Sequence, residues 1–183
     1  TVTERVAGFD LDVALDGFFQ GNTPGAEALV SAVLEEAGDV AGLATWDLYA
    51  GVGLFALPLA RAGARVTAVE VDATAVDHLR ANAARAGLGV TAHAVDVARF
   101  LHRSPSTPDV VVLDPPRTGA GPEVAATIAT CGARALVYVA CDPAALARDS
   151  RILVERGWRL VSARPFDLFP MTHHVEAVAT FER

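Results

Sequence analysis

Lysine is missing from this sequence. All 15 basic residues are arginine, against 22 acidic ones, and the formal net charge is −7. That sign argues against a domain whose main task is to grip phosphate backbones, because such domains carry basic faces that displace counterions. It leaves room for a catalytic domain whose hold on nucleic acid is supplied elsewhere. Cysteine is scarce as well. The 2 cysteines are too few for a disulfide framework, and no cluster has zinc or iron–sulfur spacing, so no metal is expected. A reducing compartment is implied, and the expectation is a cytoplasmic protein. No apolar run approaches the roughly 18 residues of a membrane span. Thr1-Val2-Thr3-Glu4-Arg5 lacks the basic-then-apolar pattern of a signal peptide. Internal repeats and low-complexity segments are absent, and so is an initiator methionine. The opening threonine suggests a fragment of a longer protein.

What is present is a chain of 183 residues, 52% hydrophobic and 20% charged, enough for one domain with a real core. Strands and helices alternate along it. Thr23 to Ala37 reads as a helix, with Pro24 in its first turn and Gly38 past its end. Strands are expected at Ala44–Tyr49, Arg65–Val69, Val90–Val95, Asp109–Leu113, Arg134–Ala140, Trp158–Phe166 and Val175–Phe181. Helices are expected at Leu54–Ala62, Ala73–Ala86, Pro122–Thr130 and Pro143–Arg156. Ala7 to Phe19 and the Arg103 to Pro108 loop yield no clear element. The alternation implies an α/β fold, a doubly wound, mostly parallel seven-stranded sheet ending in an antiparallel pair. Residues 1–22 read as a lead-in segment carrying Phe19-Gln20-Gly21-Asn22, and residues 23–183 as the main domain.

Ligands of open α/β sheets bind beyond the carboxyl ends of the strands. Asp47-Leu48-Tyr49-Ala50-Gly51-Val52-Gly53 places a glycine turn there, between a strand and a helix start. Gly51, Gly53 and Ala56 also satisfy the dinucleotide pattern formally. Glu70, ending the second strand, can accept hydrogen bonds from both ribose hydroxyls of an adenosine. Asp96, after the third, can accept from an adenine amino group. Glycines and acids at successive strand ends point to a nucleoside cofactor, although glycines that merely turn the chain and a solvated Glu70 give the same pattern. A nicotinamide or flavin enzyme would set a pyrophosphate on the turn. S-adenosylmethionine would set a sulfonium and an amino acid there, and Asp47 suits its ammonium group better. The final antiparallel pair also suits a methyltransferase fold.

Asp114-Pro115-Pro116-Arg117 follows the most buried strand. Its rigid prolines hold an acceptor and a donor that suit a planar polar substrate, or else form an exit loop with a surface arginine. Tyr138-Val139-Ala140-Cys141-Asp142-Pro143 delivers a cysteine to a strand end and a helix start. There it is either a nucleophile whose thiolate can be stabilised or a small buried hydrophobe. Glu176 sits in an otherwise apolar strand, so it needs a partner or serves as a proton acceptor. His174, two residues before it, shares its face if the strand has begun.

Five motifs occur in order: Gln20 with Asn22, the Asp47–Gly53 turn, Asp114-Pro-Pro-Arg117-x-Gly119, Cys141-x-Pro143-x-x-Leu146-x-Arg148-Asp149, and Phe169-Pro-x-Thr-x-His174-Val-Glu176. In this the chain resembles the RNA uracil-C5 methyltransferases, which make 5-methyluridine in transfer and ribosomal RNA. The resemblance implies a Rossmann-like, S-adenosylmethionine-dependent catalytic domain acting on RNA, with Cys141 as nucleophile and Glu176 as the base that removes the C5 proton. It implies that Gln20, Tyr49, Glu70 and Asp114 line the pocket for cofactor and target base. Attack of Cys141 at C6 would make C5 carbanion-like, and Arg117 is the candidate donor to the enolate oxygen. Because the target lies in a stack, it must be splayed out or flipped. The chain departs from the family pattern with Ala50 where cysteine is common, Asp142 where asparagine is common and Leu54 where some members have asparagine. A carboxylate beside Cys141 is expected to oppose its ionisation. The family usually also carries an N-terminal RNA-binding barrel, which is expected to lie outside these residues. The remaining readings are a cofactor-binding module without turnover and a nicotinamide-dependent oxidoreductase.

Overall fold

A computed structural model describes residues 1–17, 19–104, 106–168 and 175–183. The chain opens with an antiparallel hairpin, β1 (Val2–Val6) and β2 (Phe9–Val13). Both strands lie in the expected lead-in segment, and β2 falls within Ala7–Phe19, where the sequence shows no clear element. The signal was there but short: Phe9, Leu11 and Val13 are buried, and Asp10 and Asp12 alternate with them. Helix α1 (Thr23–Ala37) follows, as expected. Asn22 caps it by accepting from the Gly25 amide at 3.0 Å, and Gly38 at φ 68° ends it.

The main body then alternates as β3 (Ala44–Leu48), α2 (Ala56–Arg61), β4 (Arg65–Glu70), α3 (Ala73–Arg85), β5 (Val90–Ala94), α4 (Val97–Arg103), β6 (Val110–Leu113), α5 (Gly121–Ile128), β7 (Ala135–Ala140), α6 (Pro143–Glu155), β8 (Arg159–Phe166) and β9 (Glu176–Glu182). Helix α2 starts later than the sequence suggested. The turn that begins at Gly51 runs on through Phe55, which stands at the helix's N-cap, so the first helical residue is Ala56. Helix α4 was not anticipated. It has only 7 residues, too few to display a helical period.

The large sheet has strand order β5-β4-β3-β6-β7-β9-β8. Neighbours pair in parallel from β5 to β7, while β9 runs antiparallel to both β7 and β8. The chain winds outward from β3 in one direction and from β6 in the other. The crevice between β3 and β6 is therefore the switch point at which α/β sheets bind ligands. Along β6, Val110 and Val112 face one apolar layer and Val111 and Leu113 the other. That two-sided burial is why β6 reads as an unbroken apolar run. No helix among the described residues is long and apolar enough to cross a membrane.

Candidate active site

Parallel pairing puts the carboxyl ends of β3, β4, β6 and β7 along one edge. Tyr49, Glu70, Asp114 and Cys141 lie at those ends. Strand β9 runs the other way, so its beginning reaches the same edge. Ala177 pairs with Ala140, which sets Glu176 alongside Cys141. A cleft of about 620 Å³ opens above this row, within the usual range for small-molecule sites. The hairpin and lead-in close one wall through Val13, Ala14 and Gln20. The glycine turn supplies Tyr49, Gly51 and Leu54. Asp114 to Arg117, Cys141 and Glu176 form the far side.

The turn is tightly built. Tyr49 and Gly51 take positive φ, 65° and 52°. A Cβ on Gly53 would stand 2.5 Å from a Leu57 methyl and 3.2 Å from Leu79, so only glycine lets the turn settle onto α2 and α3. Glu70 braces the turn from the next strand: one oxygen accepts from the Gly51 amide at 3.1 Å and the other from the Asp72 amide at 2.9 Å. A carboxylate has lone pairs beyond those two bonds, and these remain for a ligand. Asn82 is buried in α3 and ties the turn to the hairpin. It donates to Val52 O and Asp12 O, both at 3.2 Å, and accepts from the Asp12 amide at 2.9 Å. Asn22 uses its amide to hold Leu168 O at 3.0 Å, joining the Gln20 segment to the chain that leads toward Glu176.

Acidic groups crowd this edge. Asp47 is fully buried under the turn, and its carboxyl has no hydrogen-bond partner among the described residues. Burial holds it well above the ordinary carboxylate range, and Asp114 and Glu70 add to this, while the nearby Ala56 amide works against them. Burial pushes Asp114 up to about 8, helped by the charge of Glu176. Burial likewise pushes Glu176 up to about 6, against the pull of Arg117. One Glu176 oxygen has no hydrogen-bond partner among the described residues. The Cys141 thiol is half-buried and pushed up by burial first, then by Glu176 and Asp114; its own amide and Arg117 pull it down. Tyr49 is pushed up to about 12, mainly by burial. Asp142 accepts from the Ala145 amide at 2.7 Å as the cap of α6. The opposition to ionising Cys141 comes from burial, Glu176 and Asp114 in that order.

Gln20, Tyr49, Gly51, Glu70, Asp114, Arg117, Cys141 and Glu176 all line the cleft. Asp47 and Gly53 lie beneath it as support. Asp96 caps α4, accepting from the Arg99 amide at 3.0 Å, and is not part of the lining. His174 lies outside the described residues. The sequence reading did not single out Val71 or Asp72, which line the cleft beside Glu70. Val71 is an apolar side chain left 67% exposed, and its place directly after the acidic strand end was the available signal. No group of three or more metal-ligating side chains occurs among the described residues.

Two family models overlap along the chain. One, described as a methyltransferase domain, matches residues 46–136. The other, described as tRNA (uracil-5-)-methyltransferase, matches residues 103–183. An uncharacterised RNA methyltransferase of Bifidobacterium longum is 43% identical across 100% of this chain and 44% of its own length. The 23S rRNA (uracil(1939)-C(5))-methyltransferase RlmD of Pseudomonas fluorescens is 43% identical across 90% of this chain and 36% of that protein. The crystal structure of Pyrococcus abyssi tRNA (uracil-54, C5)-methyltransferase with S-adenosyl-L-homocysteine superposes with a TM-score of 0.86 at 30% identity. It covers 98% of this chain and 44% of that one. The chain thus spans about two fifths of the length of the curated relatives it matches.

Proposed function

From the premise that the chain belongs to the RNA uracil-C5 methyltransferase family and has its S-adenosylmethionine-dependent fold, we propose that it methylates C5 of a uridine in transfer or ribosomal RNA through a covalent bond from Cys141 to C6. The observation that carries this reading is the pairing of Ala140 with Ala177. It brings a thiol and a buried carboxyl, one oxygen of which has no partner among the described residues, to the same side of one cleft.

Family membership decides between the two cofactors left open by the glycine turn, in favour of S-adenosylmethionine. The residues present fit it. A cleft whose ionised edge groups include Glu70 and Glu176 suits a sulfonium and an ammonium and repels a pyrophosphate, while the protonated Asp114 offers a donor. Glu70 is placed to accept from ribose hydroxyls, and the exposed face of Val71 suits an adenine ring. Gln20, Tyr49, Gly51 and Asp114 complete the proposed cofactor contacts, with Asp47 and Gly53 acting from below. Asp96 is kept as an adenine contact through the oxygen that its helix cap does not use. When bound, the cofactor supplies a methyl group made electrophilic by positive sulfur.

The chain's own groups do the rest. The Cys141 thiolate adds to C6, and the ring's electrons move toward C5 and the C4 oxygen. Arg117, exposed at the cleft mouth, donates to that oxygen. Once C5 has displaced the methyl group from sulfur and carries it beside its own proton, Glu176 takes that proton, and the electrons left behind expel the Cys141 thiolate from C6 and restore the ring. Asp114 sits beside Glu176 and is largely protonated at neutral pH, so it can donate a hydrogen bond to the base. His174 is retained as a base contact by its place in the motif.

The acidic charge of −7 supports a division of labour in which other parts of the full-length protein grip the RNA. The raised Cys141 thiol favours a second reading, cofactor binding without turnover. One experiment separates the two. RNA carrying 5-fluorouridine at the target position is incubated with the protein and S-adenosylmethionine, beside Cys141→Ala. A denaturant-stable adduct absent from the variant is expected, since fluorine cannot leave as a proton does. Intact cofactor binding with no adduct from the full-length protein on transfer or ribosomal RNA would overturn the methylation reading.

A further inference from the structure

The Arg148-Asp149 pair at the end of the Cys141 motif has no part in the chemistry described so far. Asp149 is 0% exposed, on the face of α6 that looks toward the Asp114–Gly121 loop. Its Oδ2 accepts from the Tyr138 hydroxyl at 2.8 Å, the Ala120 amide at 2.9 Å and the Gly121 amide at 3.2 Å. Its Oδ1 is held by Arg148, whose Nε donates at 2.9 Å. The same guanidinium donates to Thr118 O at 2.8 Å. Such a set is strong because the carboxylate is fully buried and its hydrogen bonds are charge-assisted.

Gly119 independently supports the same docking. It lies at φ 76°, and a Cβ there would stand 2.6 Å from both Arg148 Nη2 and Asp149 Oδ2 and 3.0 Å from the Ala145 methyl. The loop backbone lies directly on the start of α6, and Cys141 stands just before that helix. At its other end the loop is fixed by the sheet, where the Asp114 amide donates to Leu48 O at 3.2 Å. Arg117 lies between these anchors. Asp114 belongs to the sheet, whereas Arg117 is placed by the clamp.

We propose that Asp149, with Arg148 and Tyr138, is a positioning residue that sets Arg117 against Cys141 by pinning the Thr118–Gly121 backbone onto the helix that follows the nucleophile. The proposal rests on the reading of Cys141 and Arg117 as members of the reacting site. Without the clamp Asp114 stays in place and Arg117 swings away. Cys141 then keeps the two groups that oppose its ionisation, Glu176 and Asp114, and loses the guanidinium that favours it.

The test is a double-mutant cycle on the intact protein, read without RNA or cofactor. The rate of iodoacetamide alkylation at Cys141 is followed by mass spectrometry of its peptide across pH 6 to 10. Arg117→Ala is expected to shift the profile to higher pH, by about half a unit or roughly threefold slower reaction at pH 8. Asp149→Asn should give the same shift, and the double variant no more than Arg117→Ala alone. Tyr138→Phe, which leaves the carboxylate in place, should shift the profile part of the way, and Gly119→Ala should match Asp149→Asn. A wild-type profile in Tyr138→Phe and Gly119→Ala, or shifts that add in the double variant, would overturn the proposal, and Tyr138→Phe decides if Asp149→Asn does not fold. Because no RNA is present, failure of the fluorouridine adduct in the wild type would sink the methylation reading and leave this cycle intact.

Discussion

Glu176 and Cys141 must both be deprotonated for the proposed reaction, and burial raises both. Glu176 must be ionised to take a proton, and it is pushed up to about 6. Turnover on ordinary uridine should therefore fall as pH drops through about 6. Adduct formation on 5-fluorouridine needs the Cys141 thiolate but not that proton removal, so it should fall with pH at a constant slope and lack the added break near 6; the same break in both assays would sink the assignment of the base. Glu176→Gln is expected to trap the adduct on unmodified uridine and to lower turnover by at least ~100-fold, measured by gel shift and methyl incorporation. Asp114 makes a stability prediction. Its folded value of about 8 lies above the ordinary ~3.9 of an unfolded aspartate. A raised folded value means that its contribution is full below the unfolded value and is lost as pH rises through the folded one. The wild type should thus lose stability between about pH 4 and pH 8 relative to Asp114→Asn, by up to ~1.4 kcal/mol per unit. Thermal denaturation across that range checks this, and a constant difference between the two proteins would refute it.

At the scale of elements, the hairpin β1–β2 works with the cleft. Its Val13 end lines the cleft, and Asn82 bolts it to Val52 in the glycine turn. Asn82→Ala leaves the Asp12 amide and two carbonyls short of a partner at a buried place. The expected loss is about 2 kcal/mol of stability with cofactor affinity several-fold weaker, by denaturant titration and calorimetry. Stability lost with affinity unchanged would separate the hairpin from the site. Strand β9 makes the other lesson of this scale. Its sequence predicted a strand and an antiparallel pair, both of which are present. Its insertion between β7 and β8 is a pairing choice over a long stretch of chain, which no local pattern encodes. Without that insertion Glu176 would not stand beside Cys141. Helix α4 and strand β2 were illegible for a simpler reason, since 7 residues give only about two helical turns and 5 residues only about two strand repeats.

For the whole molecule, an excess of acid is at odds with the proposed RNA substrate unless the grip lies outside these 183 residues, which span about two fifths of the curated relatives' length. Residues 1–183 alone should bind target RNA weakly, with a dependence of log affinity on log salt no steeper than about −2, whereas the full-length protein should show a much steeper slope. Filter binding across 50 to 300 mM salt measures both. Equal slopes would place the RNA contacts within this acidic domain.

The sequence by itself determined the class of fold, the strand ends and the identity of the groups brought to them. Apolar runs, helix caps and glycines are local causes, and the motifs at Tyr49, Asp114 and Cys141 are local patterns. The tertiary structure alone decided which of these groups meet. It set Asp47 beneath the cleft with no hydrogen-bond partner among the described residues, turned Asp96 into a helix cap, and closed a wall with the hairpin. It also joined Asp149 to a loop 28 residues back in the chain. Proximity across a sheet depends on strand order and register, and buried polar groups settle only after packing has chosen their neighbours.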